Sequence, residues 1–499
     1  MANEYTYMQT VIPKFGNRLG ETESQTIRWR FGGINRRDTI DTGEFADMIG
    51  ISSERDELVT DPPFAQSTEF TQRYPNPIQV EAFSGFLLVL YQSDGGALMA
   101  DILREGYVAV TITVNQQNDF GNIKRSVVLF NVCEMEDDNI LTATFHPTIL
   151  IFPDKYSFPA LPESGSYASY LGDEFPNLTM ATAFQGRLFG SDGSLAFASG
   201  YNDYANWNLD TADESSPANA WVTATQTNVY ADDNITAVTV YGGHVVLFKH
   251  GYMHEIYGTE NPFRLYDVGE YGCVGARALA QVGGILYFAS TGGIMAYNGS
   301  SVSCISRDVI LGGETLPPET VLSGDFRYLY VNTPVISLRY DTVWNVWTRQ
   351  PLPEGFVWHD VTANRDEEGA SYILSDDGNI YVPSGNVYRE WHCETDMIAM
   401  SSVDIRRVKK LTISGTCFIP EGTGYVKLYL LHPGEEFGAN SQLIAEKTFS
   451  GAKKPFTIRA MVRMTADTAH RLVLVGYGAV TVTSIAMKIS WGGERYDTE

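Results

Sequence analysis

The stretch from Tyr241 to Glu260, YGGHVVLFKHGYMHEIYGTE, places His250 and His254 four residues apart with Glu255 beside the second. On a helix such a pair, with an adjacent carboxylate, is the ligand and base set of a zinc hydrolase, because one turn brings both rings to one face. On a strand that chemistry fails. Here His250 follows the apolar run VVLF and precedes Gly251, which reads as a hairpin turn, so the two rings are expected on opposite arms. No third ligand stands at a familiar spacing. The expectation is a pair of turn and core histidines, with no metal, cofactor or catalytic residue assigned.

Other candidate chemistry is weaker. The turns SDGG at Ser93, SDGS at Ser191 and SDDG at Ser375 resemble the Asp-box of sialidases, but none completes it, and such boxes are hairpin features rather than active sites. Glycan hydrolysis needs two carboxylates at a set separation, and 60 acidic residues nominate no pair. There is no GxSxG elbow, no phosphate loop and no dinucleotide fingerprint. The acidic runs CEMEDD (from Cys133) and DEEG (from Asp366) read as solvated loops, with weak calcium sites as the sharper alternative. Trp344 and Trp347 in WNVW read as packing at a strand end, or as a sugar platform. The basic cluster Arg406, Arg407, Lys409 and Lys410 is either a solvent face or a contact for an acidic neighbour; the second reading is preferred. No enzyme emerges.

Composition sets the frame for these residues. The 499-residue chain is 44% hydrophobic, 12% aromatic and 19% charged, with 46 glycines. Tyr, Phe, Val and Thr fill its apolar stretches, a mixture that favours sheet over helix. Its net charge of −25 is uneven: Thr395–Glu499 holds 13 basic and 10 acidic residues, leaving −28 on the first 394. The shift marks a domain boundary near residue 395. A body so acidic is not expected to grip nucleic acid, although DNA can slide past it without sticking. Five cysteines, an odd number with no CxxC, point to free thiols made in a reducing cytoplasm. The opening residues lack the apolar core of a signal peptide, and FLLVLY (Phe86–Tyr91) is too short to span a membrane. A soluble protein is expected.

The elements that position these residues repeat. GGHVVLFKHGYMHEIYG (from Gly242) and GGILYFASTGGIMAYNG (from Gly283) match almost position for position, and similar hairpins begin near residues 85, 127, 186, 327 and 371. The steps between them are 42, 59, 57, 41, 43 and 44 residues, and four of the six fit one four-stranded propeller blade. The long steps hold Pro- and Gly-rich insertions that read as rim loops. The spacing predicts an all-β chain: an N-terminal arm over 1–27, a β-propeller of about seven blades (six to eight) over 28–394, and an antiparallel β-sandwich over 395–499. Closure is expected from a strand near TIRWRF (Thr26–Phe31) completing the last blade.

Several stretches in order resemble the β-propeller structural proteins of tailed-bacteriophage tails, a family that includes the tail-hub or packaged-DNA stabilisation proteins of short-tailed phages. They are RFGGINRRDTIDTGEFADMIGISSERDELVTDPPF (Arg30–Phe64), AFQGRLFGSDGSLAFASGYNDYANWN (from Ala183), the two Gly-Gly hairpins, and RYDTVWNVWTRQ (from Arg339). Ile49-Gly50 and Asp61-Pro62 replace the Asn and Arg residues usual in the first. The resemblance covers most of residues 28–394 and implies a virion structural protein without catalysis, assembled in the bacterial cytoplasm. It also implies a ring of six copies below the portal and adaptor, in contact with other tail proteins and with DNA passing through. The competing expectation is a host-surface protein of the tail that binds or depolymerises glycans.

Overall fold

The computed structural model describes residues 24–28, 31–36, 44–115, 124–134, 144–161, 167–209, 219–224, 233–259, 263–310, 314–385, 387–395, 405–432, 435–438, 441–461 and 470–492. Every regular element among them is a β-strand. Five four-stranded antiparallel sheets follow one another over 77–115, 126–170, 180–224, 237–269 and 279–304. A sixth, over 358–383, has three of its own strands and borrows a fourth, Phe64–Gln66, from the N-terminal side. These are blades one to six of a β-propeller.

Each blade buries both faces against its neighbours, which explains its sequence texture. In blade one Leu88 and Leu90 pack into the seam with blade two, against Ile149, Ile151 and Phe158. The intervening Leu87 and Val89 pack into the seam with blade six, against Leu374 and Ile380. A strand covered on both faces reads as a continuous apolar run rather than an alternation, hence FLLVLY. Each such leucine contributes about 1.5–3 kcal/mol by burial. Tight turns separate the strands: Gly378, in the SDDG turn, has φ +82° and lies so close to the Tyr74 backbone that a side chain there would overlap it.

The blade count differs from the seven expected. The hairpins over 321–349 do form a four-stranded meander, and its first strand, Val321–Gly324, packs between the inner strands of blades five and six. It does not stand as a separate blade. Its last strand, Val346–Arg349, pairs at Arg349 with Ile49 of Phe45–Ile49. Phe45–Ile49 in turn pairs antiparallel with Glu390–Thr395, so the hydrogen bonding runs on into a 13-stranded sheet. The propeller therefore has six free-standing blades. Repeat spacing registers hairpins, and cannot register an outer strand that is bonded onward.

Closure also differs in its strand. Ser24–Arg28, the expected seal, pairs with the C-terminal strand Ala479–Gly492, with Ile27 opposite Met487. The seal of blade six is Phe64–Gln66, with Ala65 opposite Val382. The 14-residue Ala479–Gly492 strand offers a long open edge, whereas blade six offers the four residues Ile380–Pro383, which three residues suffice to cover.

The C-terminal antiparallel sheet is built on one long hairpin, Ile405–Leu431 with Gln442–Ala460, which bends near residues 419–424. Residues before the bend pair with Ala479–Gly492 and residues after it with Arg471–Tyr477. Leu411, Ile413, Val426, Leu428, Leu474 and Val482 then share one core, continuous with that of the 321–349 meander. Cys273, Cys393 and Cys417 are buried free thiols and Cys304 a half-buried one; burial pushes the Cys273 thiol up to about 12. The Cys133 side chain and residues 135–138 of the acidic run lie outside the described residues.

Gly33 sits between the strands Phe45–Ile49 and Val346–Arg349, and a Cβ there would run into the Val346 side chain and the Trp347 backbone. Gly33→Ala is expected to cost about 1–3 kcal/mol by overpacking. Gly251→Ala, at a turn with open space around it, should stay within about 0.5 kcal/mol. Urea denaturation midpoints of the two variants check this.

Candidate functional site at the propeller axis

The inner strands of the blades do not hydrogen-bond to one another, so side chains must satisfy the backbone groups that face across the seams. At the seam where the ring closes, this task falls to Asp360 and Thr362 of the inner strand of blade six. Asp360 Oδ2 accepts the Val80 N–H at 2.9 Å, and Thr362 Oγ1 accepts the Ala82 N–H at 3.0 Å. Asp360 is fully buried.

A buried carboxylate needs cations. Arg277, in the turn before the strand Leu279–Val282, donates to Asp360 at 3.1 and 3.3 Å and to the Val361 carbonyl at 3.2 Å, and forms an ion pair with Glu81. Lys124 Nζ stands 3.6 Å from Asp360 Oδ1 and donates to the His359 carbonyl at 3.0 Å. Burial lowers the Lys124 ammonium below the ordinary lysine range, and Asp360 offsets part of that shift. Glu81 also accepts from Gln79 Nε2 at 2.8 Å. His359 Nδ1 bonds to Asp376 at 2.9 Å.

Two cavities flank this cluster and share Ala276 and Arg277. One, about 200 Å³, lies between inner strands and is lined by Glu81, Thr239, Ser323, Thr362 and Arg365. The other, about 480 Å³, is more apolar, with Pro318, Pro334, Phe356, Val357 and Trp358 around Lys124 and His359. Chemically, the axis offers fixed cations, hydroxyls and a buried carboxylate, a set suited to binding a polar ligand.

The residues singled out in the sequence are elsewhere. His250 lies in the turn itself, its N–H bonded to Asp233, and His254 is buried on the returning strand Met253–Tyr257. Burial lowers the His254 imidazole, against the pull of Asp267 at 2.6 Å, so the ring is neutral with its Nδ1–H donating to that carboxylate. Glu255 accepts from the Tyr257 and Tyr297 hydroxyls at 2.7 and 2.8 Å. Among the described residues no group of three or more His, Cys, Asp or Glu is placed to hold a metal ion. Trp347 is core, its Nε1 bonded to the Ile305 carbonyl at 3.0 Å, while Trp344 is exposed. Asp366, Glu367 and Glu368 are exposed on a turn, with Glu368 paired to Arg327 at 2.9 Å. Arg406, Arg407 and Lys409 fall on the strand Ile405–Leu431, with side chains outside the described residues, and Lys410 is exposed.

Sequence reasoning passed over Glu81, Lys124, Arg277, Asp360 and Arg365, which converge from widely separated parts of the chain. One signal was available: Glu81 and Asp360 each interrupt a stretch that otherwise reads as a buried inner strand, and a charge in such a place must be paired.

No family model and no curated protein matches the chain. Among solved structures it is similar to a streptogramin B lyase, at 10% identity and a TM-score of 0.39, covering 64% of this chain and 96% of that one. The RRP9 WD40 repeats give 6% identity and 0.40, covering 65% and 99%. The extracellular domain of the putative one-component system BT4673 from B. thetaiotaomicron gives 9% and 0.42, covering 88% and 64%. These are likenesses of fold, and the chemistry of the axis is read from this chain's own residues.

Asp360→Ala would leave Arg277 and Lys124 short of a buried counter-charge and is expected to cost about 3–5 kcal/mol, read from urea denaturation. His254 has a folded pKa below its unfolded value, so its contribution is present above about pH 6.5 and lost as pH falls through the folded pKa. The stability difference between wild type and His254→Gln, measured at steps from pH 7.5 to 5, should shrink with acidity. A constant difference would show that the ring does not titrate in that window.

Proposed function

We propose that this chain is a non-enzymatic structural component of a bacteriophage virion tail: a hub or nozzle ring of six copies below the portal and adaptor. It passes and retains packaged DNA and anchors other tail proteins, after assembly in the host cytoplasm. The observation that supports this most is the setting of the Gly32-Gly33-Ile34-Asn35 stretch that carries the resemblance. Asn35 is buried, its N–H bonds to the Phe45 carbonyl at 2.8 Å and its side chain to Glu44 at 2.6 Å. The Ile34 N–H bonds to the Trp347 carbonyl at 3.0 Å. The stretch therefore meets specific steric and hydrogen-bonding demands between the strands Phe45–Ile49 and Val346–Arg349. Among the described residues no helix is long and apolar enough to cross a membrane.

A ring needs heterologous contacts, one patch meeting a different patch on the next copy. The basic segment Arg406, Arg407, Lys409 and Lys410, in a region of net +3, is the candidate to orient against the −28 body of a neighbour. Each exposed pair is worth about 0–1 kcal/mol, so shape dominates and charge sets orientation. The remaining acidic surface would face the channel and repel phosphates.

A second reading, a glycan-binding or depolymerising tail protein, draws on Tyr167 and Tyr170, which are 81% and 51% exposed, beside Asp173, which accepts from the Tyr170 hydroxyl at 2.7 Å. An aromatic platform next to a carboxylate suits a sugar.

Mass photometry of the protein mixed with portal and adaptor proteins should show a discrete ring. Reversing the four basic charges should weaken it more at low salt than at high salt. Assembly unchanged at both would remove the cluster from the interface. Saturable binding on a glycan array, or polysaccharide cleavage, would favour the second reading.

A further inference from the structure

At one end of the 321–349 meander two turns carry large apolar side chains where turns ordinarily carry polar ones. Phe326, Val343 and Trp344 are 68%, 60% and 44% exposed. The turns flank the paired residues Tyr328 and Asp341, and Thr342 ties them together, its N–H and its hydroxyl both donating to the Arg327 carbonyl, at 3.3 and 2.7 Å. A buried aspartate holds each turn. Asp325 accepts the Arg327 and Tyr328 N–H groups at 2.7 and 2.6 Å, and Asp341 accepts those of Val343 and Trp344 at 2.9 and 3.2 Å. Apolar tips on a fixed frame have little loop freedom left to lose on contact, and exposed aromatics so held are the usual hot spots of protein interfaces.

Carboxylates rim this tip. Arg327 is already paired with Glu54, Asp341 and Glu368. The turn that holds Glu368 is tied to the tip, its Gly369 N–H donating to Asp325 at 2.9 Å. Asp366 and Glu367 on that turn, and Asp56 on the turn after Glu54, are exposed and form no ion pair among the described residues. The complementary charge stands on the same chain. From Lys447 to Met461 the sequence holds Lys447, Lys453, Lys454 and Arg459 and no acidic residue, a net of +4 within a chain of −25. These four are exposed and likewise form no ion pair among the described residues. They lie on Gln442–Ala460, which among the described residues pairs with Ile405–Leu431 alone, and Met461 just beyond is 88% exposed. An open edge of 19 residues invites another strand. Here Gly451, at φ +74°, marks a shift of register, and Lys453, Lys454 and Pro455 follow it, the features that block backbone pairing at an edge. The edge is left to side-chain contact.

We propose that the apolar tip of one copy of this chain docks on the basic edge strand of a second copy, head to tail. The Trp344 ring suits both a lysine ammonium and a methionine thioether, and Asp366 and Glu367 meet the cations at the rim. The two patches are different, so every copy added leaves one tip and one edge free for the next. The contact is argued from the two patches alone and does not rest on the tail reading. Each can fail without the other, because self-association needs no portal or adaptor.

The test is sedimentation velocity of the full chain alone, over about 1–100 µM, where the mean sedimentation coefficient should rise with concentration. Trp344→Ala, and separately the pair Lys453→Glu with Lys454→Glu, should each weaken association at least about tenfold. Urea midpoints should not move, because these side chains are exposed; the lysine variant carries the test by itself should Trp344→Ala fold poorly. A one-to-one mixture of the two variants should form a dimer and nothing larger, since each keeps the patch the other lacks. Adding Asp366→Lys and Glu367→Lys to the lysine variant should restore association. A chain that stays monomeric over the whole range, association unchanged in either variant, or a mixture that yields no dimer overturns the proposal. Self-association that gives no ring with portal and adaptor proteins would sink the tail reading and leave this contact standing.

Discussion

The segment from Phe45 to Gln66 is the constraint on which the rest of the structure depends. In 22 residues it pairs with four partners: Glu390–Thr395 and Arg349 through Phe45–Ile49, Thr481 and Val482 through Glu57–Thr60, and blade six through Phe64–Gln66. Charges hold it along the way. Asp47 lies 3.0 Å from Arg349 and 3.1 Å from His392, Glu54 lies 2.8 Å from Arg327, and Asp61 lies 2.5 Å from Arg339. The Arg327 and Arg339 guanidinium groups both lie over the Tyr328 ring, 4.8 and 4.6 Å from its centre. Burial pushes the Asp47 carboxyl up, but its hydrogen bonds to His392 and Arg349 and the Arg349 charge outweigh that and hold it below the usual range. Ring closure and attachment of the C-terminal sheet are thereby one event. Both wait on contacts between residues about 300 to 420 positions apart, whose loop-closure entropy comes before any reward.

The axis follows from the same geometry. A closed ring of blades leaves its inner strands edge to edge without a ladder, and at the closing seam Asp360 and Thr362 substitute for the missing backbone acceptors. The carboxylate that does this then requires Arg277 and Lys124, and Arg277 in turn meets Glu81 on the facing strand. A purely structural need, pairing two N–H groups, thus gathers most of the charge at the centre of the molecule. Arg365 is the charge there that this need does not explain.

The parts legible in the sequence were those written locally. Each blade is a set of hairpins, and hairpins announce themselves through Gly turns and apolar runs such as VVLF and ILYFAS, so strands, turns and the propeller itself were readable. The same local signals put His250 at a turn and His254 on a strand, rather than both on one helix face. What a strand bonds to across the fold is not local. Phe45–Ile49 carries no mark that its bonds run to both Arg349 and His392, so a meander that looks like a seventh blade merges into a larger sheet. FAQ, the seal of blade six, is three residues after two prolines and gives no strand signal, while TIRWRF gives a strong one and pairs elsewhere. The axial cluster was illegible because its members come from the first, second, fifth and sixth repeats and meet only when the ring closes.

A ring sealed by three residues is only as strong as what reinforces them. The Phe64 N–H reaches the Pro351 carbonyl at 3.3 Å and the Phe64 carbonyl accepts from Arg389 at 3.2 Å, while the Ser67 N–H returns to Ile380 at 2.8 Å. The ring of Phe64 is buried with Val321, Val361 and Ile373, so the seal is also a wedge between blade six and the fused meander. Opening the ring there would expose that wedge and detach the segment that holds the C-terminal sheet. The seal of the ring and the attachment of the C-terminal sheet are thus coupled through one short stretch of chain, Glu57–Gln66.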